Sequence, residues 1–233
     1  MTDRFGSYMP HLDPRLGVND EYVARVVSRN RVLDIGGRNR FSKSRRKIDR
    51  LNKNPGNLVI GTDIIADYSP DLVDDICNTA LAQGSFDGIY CVSVLEHVTE
   101  YWKAIDNIYG ILAPGGEVFL YVPFMYPFHD KMDYHRFTFT EVCRMLAQFS
   151  EVKVFMSNKQ SGIGWVFWYF VTLSLVDRVP ALHKFLAIWF NLTFRLLLWL
   201  LHRFTARSST FDDLAYRWTY LLFNHGFAAW AKK

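Results

Sequence analysis

The sequence predicts an α/β fold with a seven-stranded, mostly parallel sheet and an apolar helical insertion between strands six and seven. Two observations predict it. Short apolar runs bounded by turn residues alternate along the chain with segments of helical or turn-rich composition. Glycines or acidic residues also follow several of these runs directly. Such alternation is typical of strands that lie parallel in one sheet and are joined by helices.

Seven runs are predicted as strands. The first is Arg31–Ile35, which ends at a pair of glycines, and the others are residues 58–62, 71–76, 86–92, 116–122, 152–156 and 226–231. Helices are expected at about 19–28, 42–53, 99–111 and 139–148. Asn19 or Asp20 is the expected cap of the first helix, and Thr138 or Thr140 that of the last.

The apolar residues are unevenly distributed along the 233-residue chain. Hydrophobic residues make up 50% and aromatic residues 16%, and six of the seven tryptophans fall in the last third. We therefore expect a core over 1–161, a membrane-associating helical insertion over 162–204, and the end of the core, with its last strand, over 205–233. A length of 233 residues suits one such core.

The insertion has two apolar segments. Residues 160–176 lack charge but fall short of the ~20 residues that span a bilayer. In the second segment, at about 100° per residue, Lys184, Asn191, Arg195 and His202 fall within about 40° of one another on a helix. This narrow polar stripe predicts a helix that lies in the plane of a membrane surface. Two spanning helices, or a helix buried in an oligomer interface, remain alternatives.

Charge and cysteine content limit the other partners. Residues 38–53 hold eight basic side chains and one acid, which suits either a phosphate-binding face or a solvated helix face. Three cysteines without a CxxC pair argue against a disulfide framework or a zinc site, and no metal ligand set is predicted. The N-terminus lacks the apolar region of a signal peptide. We expect a peripheral or monotopic protein on the cytoplasmic side of the cell membrane.

Candidate binding residues follow the predicted strands, where ligands bind in doubly wound sheets. Asp34, Gly36 and Gly37 come at the end of the first strand, and the glycines allow a ligand to approach the backbone. Asp63 follows the second strand, at a spacing that suits a carboxylate accepting from ribose hydroxyls. Asp75 and Ile76 follow the third and offer groups that suit an adenine edge.

Four segments in this order, VLDIGG, GTDI, FDGIYCVSVLEHV and LAPGGEVFLYVP, resemble motifs of the class I S-adenosylmethionine-dependent methyltransferases of the type 11 kind. The resemblance covers residues 31–157 and the final NHGFAAWAKK, and it implies a Rossmann-like fold. It implies that S-adenosylmethionine is the cofactor, bound by Asp34, Gly36, Gly37, Asp63, Asp75, Ile76, Leu95, Glu96 and His97. Glu96 and His97 have capping of a helix start as their alternative role. Arg38 replaces a glycine of the family motif and would be strained at a positive φ.

The run after the fifth strand resembles the P…YP.H…DY.RFT segment of methyltransferases associated with cell-surface polysaccharide and lipid-linked glycan synthesis. His129 is predicted as the general base, and Asp133 as its orienting partner or an alternative base. Tyr134 and Arg136 are predicted to bind the substrate, with the Arg136 guanidinium holding a carboxylate or phosphate. A purely structural Asp133–Arg136 ion pair is the alternative.

The predicted function is O-methylation of a sugar hydroxyl on a polysaccharide precursor or a lipid-linked glycan. The predicted partners are therefore this acceptor and the membrane surface. One alternative is a quinone or other lipid as the acceptor. Another is a catalytically degenerate binding subunit, which Arg38 in the glycine motif would indicate. Nucleic acid is disfavoured because the D/N-P-P-Y segment of base-nitrogen methylation is missing. The sequence predicts no oligomeric state.

Overall fold

The computed structural model describes residues 11, 13, 18–156, 180–205 and 225–233. Its centre is a seven-stranded sheet, in the order β3-β2-β1-β4-β5-β7-β6. The strands are β1 Arg31–Ile35, β2 Leu58–Asp63, β3 Leu72–Val73, β4 Phe86–Val92, β5 Leu112–Pro123, β6 Glu151–Met156 and β7 Gly226–Lys232. Only β7 runs antiparallel to its neighbours in this sheet. The predicted fold class, a mostly parallel α/β sheet, is confirmed.

Helices cover both faces of the sheet. The α-helices are α1 Asn19–Val27, α2 Lys43–Leu51, α3 Tyr101–Ile111, α4 Phe139–Met145 and α5 Pro180–Thr205, and short 3₁₀ helices span Ala66–Tyr68 and Leu95–His97. Alternate strand residues enter separate cores, with Ile89 in the core under α3 and α4 and Tyr90 in the core under α1. Burial on both faces explains why the inner strands are continuous apolar runs.

Three local predictions are corrected by the structure. The third strand is only Leu72–Val73, because the chain turns directly after it and the Asp75 carboxylate accepts from the Cys77 backbone N–H. The fifth strand begins earlier than predicted, at Leu112. Val18 occupies the N-cap position of α1, and no side chain caps that helix, so the predicted Asn19 or Asp20 cap is wrong. Thr138 does cap α4, by accepting from the Glu141 backbone N–H.

The strand order reverses between β1 and β4, which are adjacent although two strands separate them in sequence. In the register of this pair, Asp34 lies beside Tyr90 and Ile35 beside Cys91. The carboxyl ends of β1 and β4 therefore open on the same crevice, which is where doubly wound sheets bind ligands. This topology brings the glycine turn after β1 and the segment after β4 together.

Helix α5 falls between β6 and β7 in the chain, within the predicted insertion. The remainder of that insertion, including the uncharged residues 160–176, lies outside the described residues. Among the helices that the structure describes, none has the length and apolar character needed to cross a membrane.

Candidate functional site

The turn after β1 requires its two glycines. Gly36 has φ +71°, and a Cβ there would stand 2.6 Å from Val94 Cγ2. A Cβ on Gly37 would stand 2.5 Å from Asp34 Oδ2. The Gly37 backbone N–H donates to the carbonyls of Asp34 and Thr62, which ties the turn to both strands. Any other residue at these positions closes the space at the end of β1.

Asp34 lies buried beneath this turn with one oxygen left over. Its Oδ1 accepts from the Ser44 hydroxyl at 2.6 Å, whereas Oδ2 has no hydrogen-bond partner within the described part of the chain. Burial raises the pKa of Asp34 to about 7, against the lowering effects of the Ser44 hydrogen bond and the Arg45 charge. A buried acceptor beside a glycine turn fits a ligand that carries N–H or O–H donors, such as the amino-acid end of S-adenosylmethionine.

Arg38 has the positive φ at which the sequence analysis predicted strain. Its φ is +52°, in the left-handed region where glycine is favoured. The guanidinium carbon lies 4.3 Å from the ring centroid of Tyr68, a cation–π contact. The contact compensates part of the strain and joins the glycine turn to the 3₁₀ helix after β2.

The acids after β2 and β3 differ in how many hydrogen bonds their carboxylates already accept within the protein. Asp63 ends β2, is half-buried, and accepts from the Ile65 backbone N–H at 2.9 Å. Asp75 accepts from the Cys77 backbone N–H and from the Asn78 side-chain amide, both at 2.9 Å. Its two oxygens therefore serve its own turn, which leaves Asp63 the better placed of the two for a ribose. The predicted adenine contact of Asp75 and Ile76 stays a prediction.

The segment after β4 carries the second buried acid. Leu95 and Glu96 are buried in the 3₁₀ helix, and Glu96 Oε2 has no hydrogen-bond partner among the residues described. Burial raises the pKa of Glu96 to about 7. The N-cap residue Val94 makes no side-chain cap, whereas the Glu96 carboxylate accepts from its own backbone N–H, so the capping alternative stays open for Glu96. The Glu96 carbonyl accepts from the Tyr134 backbone N–H at 2.8 Å, which holds the segment after β5 against it.

Arg136 is an internal clamp. Its five N–H groups donate to the carbonyls of Tyr126, Pro127 and His135 and to both carboxylate oxygens of Asp133. The prediction that its guanidinium binds a substrate anion is therefore corrected, because no donor remains. The ion pair with Arg136, through its hydrogen bonds above all, lowers the pKa of Asp133 to about 2, which makes Asp133 a weaker base than an ordinary carboxylate. The structural alternative for this pair is the one observed.

His129 is held by the same clamp. Its Nδ1 lies 3.1 Å from Asp133 Oδ2 and 3.3 Å from the Pro127 carbonyl oxygen. Its ring packs edge-on against that of His97, with centroids 5.1 Å apart. Glu96, His97 and His129 each offer a ligand atom within 4.8 Å of the others. The structure thus brings together predicted site residues from two segments that are more than 30 positions apart.

Two contributors at this edge of the sheet were missed from the sequence. Ser44 holds the Asp34 carboxylate from the first turn of α2, and Tyr68 stacks under Arg38. Neither belongs to a motif with a recognisable spacing. Both act across space from elements whose packing the sequence pattern does not specify.

Comparison with known proteins begins with the sequence. Residues 67–120 match the model of the family Methyltransf_11, described as a methyltransferase domain. The matched range includes β4 and the Leu95–His97 helix. No protein of curated function matches the chain.

Solved structures resemble the chain over most of its length. Phosphoethanolamine N-methyltransferase 2 from Haemonchus contortus, in complex with S-adenosyl-L-methionine, is 17% identical with a TM-score of 0.51. That match covers 92% of this chain and 51% of the other, so the chain spans about half the length of the Haemonchus protein. A SAM-dependent methyltransferase from Archaeoglobus fulgidus is 16% identical, with 98% of each chain covered and a TM-score of 0.53. Identities this low establish the shared fold alone.

Proposed function

We propose that this chain, an S-adenosylmethionine-dependent methyltransferase, methylates a sugar hydroxyl of a polysaccharide precursor or lipid-linked glycan at a membrane surface. One observation carries the choice of a hydroxyl. The Asp133 carboxylate accepts from the His129 backbone N–H at 3.1 Å, and Nδ1 hydrogen-bonds with the Pro127 carbonyl at 3.3 Å, so Nε2 is left for an acceptor beside the carboxyl ends of β4 and β5. A hydroxyl needs help to lose its proton, and an oriented imidazole is the common means.

Bound S-adenosylmethionine supplies a methyl group on a positively charged sulfur. Gly36 and Gly37 keep the turn after β1 open to it, and Asp34 offers a buried acceptor to its amino-acid end. Asp133 is a poor acceptor for the hydroxyl proton, since its hydrogen bonds with Arg136 lower its pKa to about 2. It orients His129, whose Nε2 activates the hydroxyl in line with the sulfonium.

The surroundings of His129 support an acceptor with an apolar face. Phe128, Met132 and Tyr134 are large, exposed side chains of the same segment. Aromatic rings exposed in this way offer flat apolar surfaces to the C–H face of a sugar ring, while the phenol of Tyr134 can hydrogen-bond a sugar hydroxyl. The full donor set of Arg136 argues against recognition of an acidic sugar by that residue.

Helix α5 supports the membrane part of the proposal. Among its side chains whose exposure the structure describes, nine large apolar ones are exposed: Leu182, Phe185, Ile188, Trp189, Leu192, Leu196, Leu197, Trp199 and Leu200. At about 100° per residue they fall within roughly half of the helix circumference. An apolar face of this extent matches that of helices lying at the boundary of headgroups and acyl chains.

The acceptor class is tested with methyl-labelled S-adenosylmethionine added to host membranes with and without the protein. Label in the glycan fraction is expected. Label confined to a quinone or another lipid would replace the sugar with that acceptor. A folded protein that neither transfers label nor binds the cofactor in calorimetry would be a binding subunit instead.

The role of His129 is tested by His129→Ala. Turnover should fall by about two to four powers of ten if Nε2 activates the acceptor. His135→Gln is the matched control, because His135 lies in the same segment and its Nε2 faces the Thr99 carbonyl. Equal turnover in the two variants would remove His129 from the mechanism.

A further inference from the structure

We infer that Glu96, His97 and His129 form a binding site for a divalent transition-metal ion. The carboxylate and the two imidazoles come from the segments after β4 and β5, and their ligand atoms lie within 4.8 Å of one another. Nothing in the methyl-transfer chemistry by itself requires this combination of side chains. The inference deepens the proposed function and rests on it for the role of the ion.

The hydrogen bonds of both histidines leave Nε2 free to bind a cation. His97 Nδ1 lies 2.7 Å from the Met132 carbonyl oxygen, which only accepts, so Nδ1 carries the proton. His129 Nδ1 likewise hydrogen-bonds with a carbonyl, that of Pro127 at 3.3 Å, and the Asp133 carboxylate, 3.1 Å away, is also an acceptor only. In each neutral ring Nε2 then holds a lone pair. Histidines that bind metals characteristically donate their second ring N–H to a carbonyl or a carboxylate.

Glu96 supplies an independent reason to place a cation here. Its side chain is 2% exposed, and its Oε2 lacks a hydrogen-bond partner within the described ranges of the chain. A buried carboxylate oxygen without a hydrogen-bond partner is costly, and a metal ion is one of the few groups that offset the cost. The His97 ring does not satisfy this carboxylate, because its Nε2 is 3.9 Å from Glu96 Oε1, beyond hydrogen-bond distance.

The donor set selects the class of ion. Two imidazole nitrogens and one carboxylate suit Zn²⁺, Mn²⁺ or Fe²⁺, whereas Mg²⁺ and Ca²⁺ prefer oxygen ligands throughout. Bonds of about 2.0–2.1 Å to such an ion require the three ligand atoms to move closer together. The side chains of His97 and His129 are 25% and 32% exposed, which leaves their rings room to turn. Three protein ligands also leave a coordination position open.

That open position is where the acceptor hydroxyl would bind. A divalent ion lowers the pKa of a bound hydroxyl, so its O–H bond breaks and the proton passes to solvent. The oxygen then forms a bond to the methyl carbon as the carbon–sulfur bond breaks, and the electron pair of that bond stays on sulfur. With the ion present, His129 activates the hydroxyl through the ion rather than by taking the proton itself.

Metal binding is measured on the full chain without a polyhistidine tag, after dialysis against a chelator. Calorimetry should give one Zn²⁺ or Mn²⁺ per chain, with at least tenfold weaker binding of Mg²⁺. Co²⁺ should produce visible absorption bands from nitrogen and oxygen ligation. Glu96→Gln and His97→Ala should each weaken Zn²⁺ binding at least 100-fold. Asp130→Asn and His135→Gln, which alter an exposed carboxylate and a histidine outside the trio, should bind as the unaltered chain does.

Equal Zn²⁺ affinity in His97→Ala and the unaltered chain, or no binding by a folded chain, would overturn the inference. His97→Ala keeps the test valid if Glu96→Gln fails to fold, because His97 is partly exposed. Absence of metal binding together with a large loss of turnover in His129→Ala would leave the proposed function standing, with His129 as a free base. Metal binding without hydroxyl methylation would instead keep the site and reject the function.

Discussion

The Nδ1 atom of His129 lies 3.1 Å from Oδ2 of Asp133, a carboxylate whose two oxygens both accept from Arg136. The same carboxylate accepts from the His129 backbone N–H, and Arg136 also donates to the Pro127 carbonyl beside Nδ1, so the position of His129 depends on the Arg136 guanidinium. Arg136 therefore positions Asp133, and Asp133 positions His129 at the candidate site.

Removal of the clamp is the first prediction. Arg136→Ala should lower turnover by about 100-fold, because small displacements of a positioned catalytic group have effects of that size. Arg136→Lys should not restore it, since a lysine cannot reproduce the bidentate pair and three carbonyl contacts. Steady-state kinetics checks both variants. Full activity of Arg136→Lys would show that only the charge matters.

Gly36→Ala should weaken cofactor binding at least tenfold in calorimetry. The new Cβ meets Val94 Cγ2 at 2.6 Å and also carries the left-handed strain of φ +71°. Gly115→Ala is the matched control, because Gly115 has φ +73° with nothing within 4 Å of its Cβ position. It should lose about 1 kcal/mol of stability and no affinity. Equal affinities in the two variants would exclude a role for the space above Gly36.

Two replacements of Arg38 separate strain from the Tyr68 contact. Arg38→Ala loses the cation–π interaction but keeps φ +52°, whereas Arg38→Gly loses both the interaction and the strain. Arg38→Gly should therefore be more stable than Arg38→Ala by about 1 kcal/mol in denaturant unfolding. A smaller difference than the error of the measurement would mean that the turn relaxes around alanine.

The buried Asp34 carboxyl should make stability depend on pH. Its pKa is raised to about 7 in the folded chain by burial, against Ser44 and Arg45, which lower it, and with Asp71 adding to the rise. A carboxyl whose pKa is higher in the folded than in the unfolded chain stabilises the fold fully at pH values below its unfolded pKa. This stabilisation is lost as the pH rises through the folded pKa of about 7.

Asp34→Asn should abolish this dependence. The free energy of unfolding of the unaltered chain should fall, relative to that of the variant, by as much as roughly 4 kcal/mol between pH 4 and pH 8. Asp130→Asn, at an exposed position, should not change the profile. Parallel profiles of Asp34→Asn and the unaltered chain, in urea unfolding at several pH values, would contradict the shift.

The exposed face of α5 should bind lipid. Replacing both Leu192 and Leu196 with glutamate should reduce cosedimentation with anionic vesicles more than tenfold, because each buried leucine contributes about 1.5–3 kcal/mol. Trp102→Glu is the control, since Trp102 is also large, apolar and exposed but lies on α3. Equal loss in both proteins would point to a general effect of charge.

Much of the sheet was predictable, because a strand buried on both faces must be a short apolar run. Arg31–Ile35 and Phe86–Val92 agree with the predicted bounds for that reason. The bounds of the third strand were wrong because β3 lies at the edge of the sheet and pairs with β2 over only two residues, after which the Asp75 turn redirects the chain. The strand order and the antiparallel β7 come from packing between distant segments, which no local pattern encodes.

The sequence by itself determined which chemical groups stand at the strand ends: the glycine turn, the acids after β1 and β2, and the histidines and acids after β4 and β5. Only the tertiary structure decided what each is used for. Arg136 directs every donor inward, which removes it from direct chemistry and makes Asp133 a weaker base, while Glu96, His97 and His129 converge. Hydrogen-bond satisfaction and convergence depend on positions in space, and the strand order at β1 and β4 sets those positions.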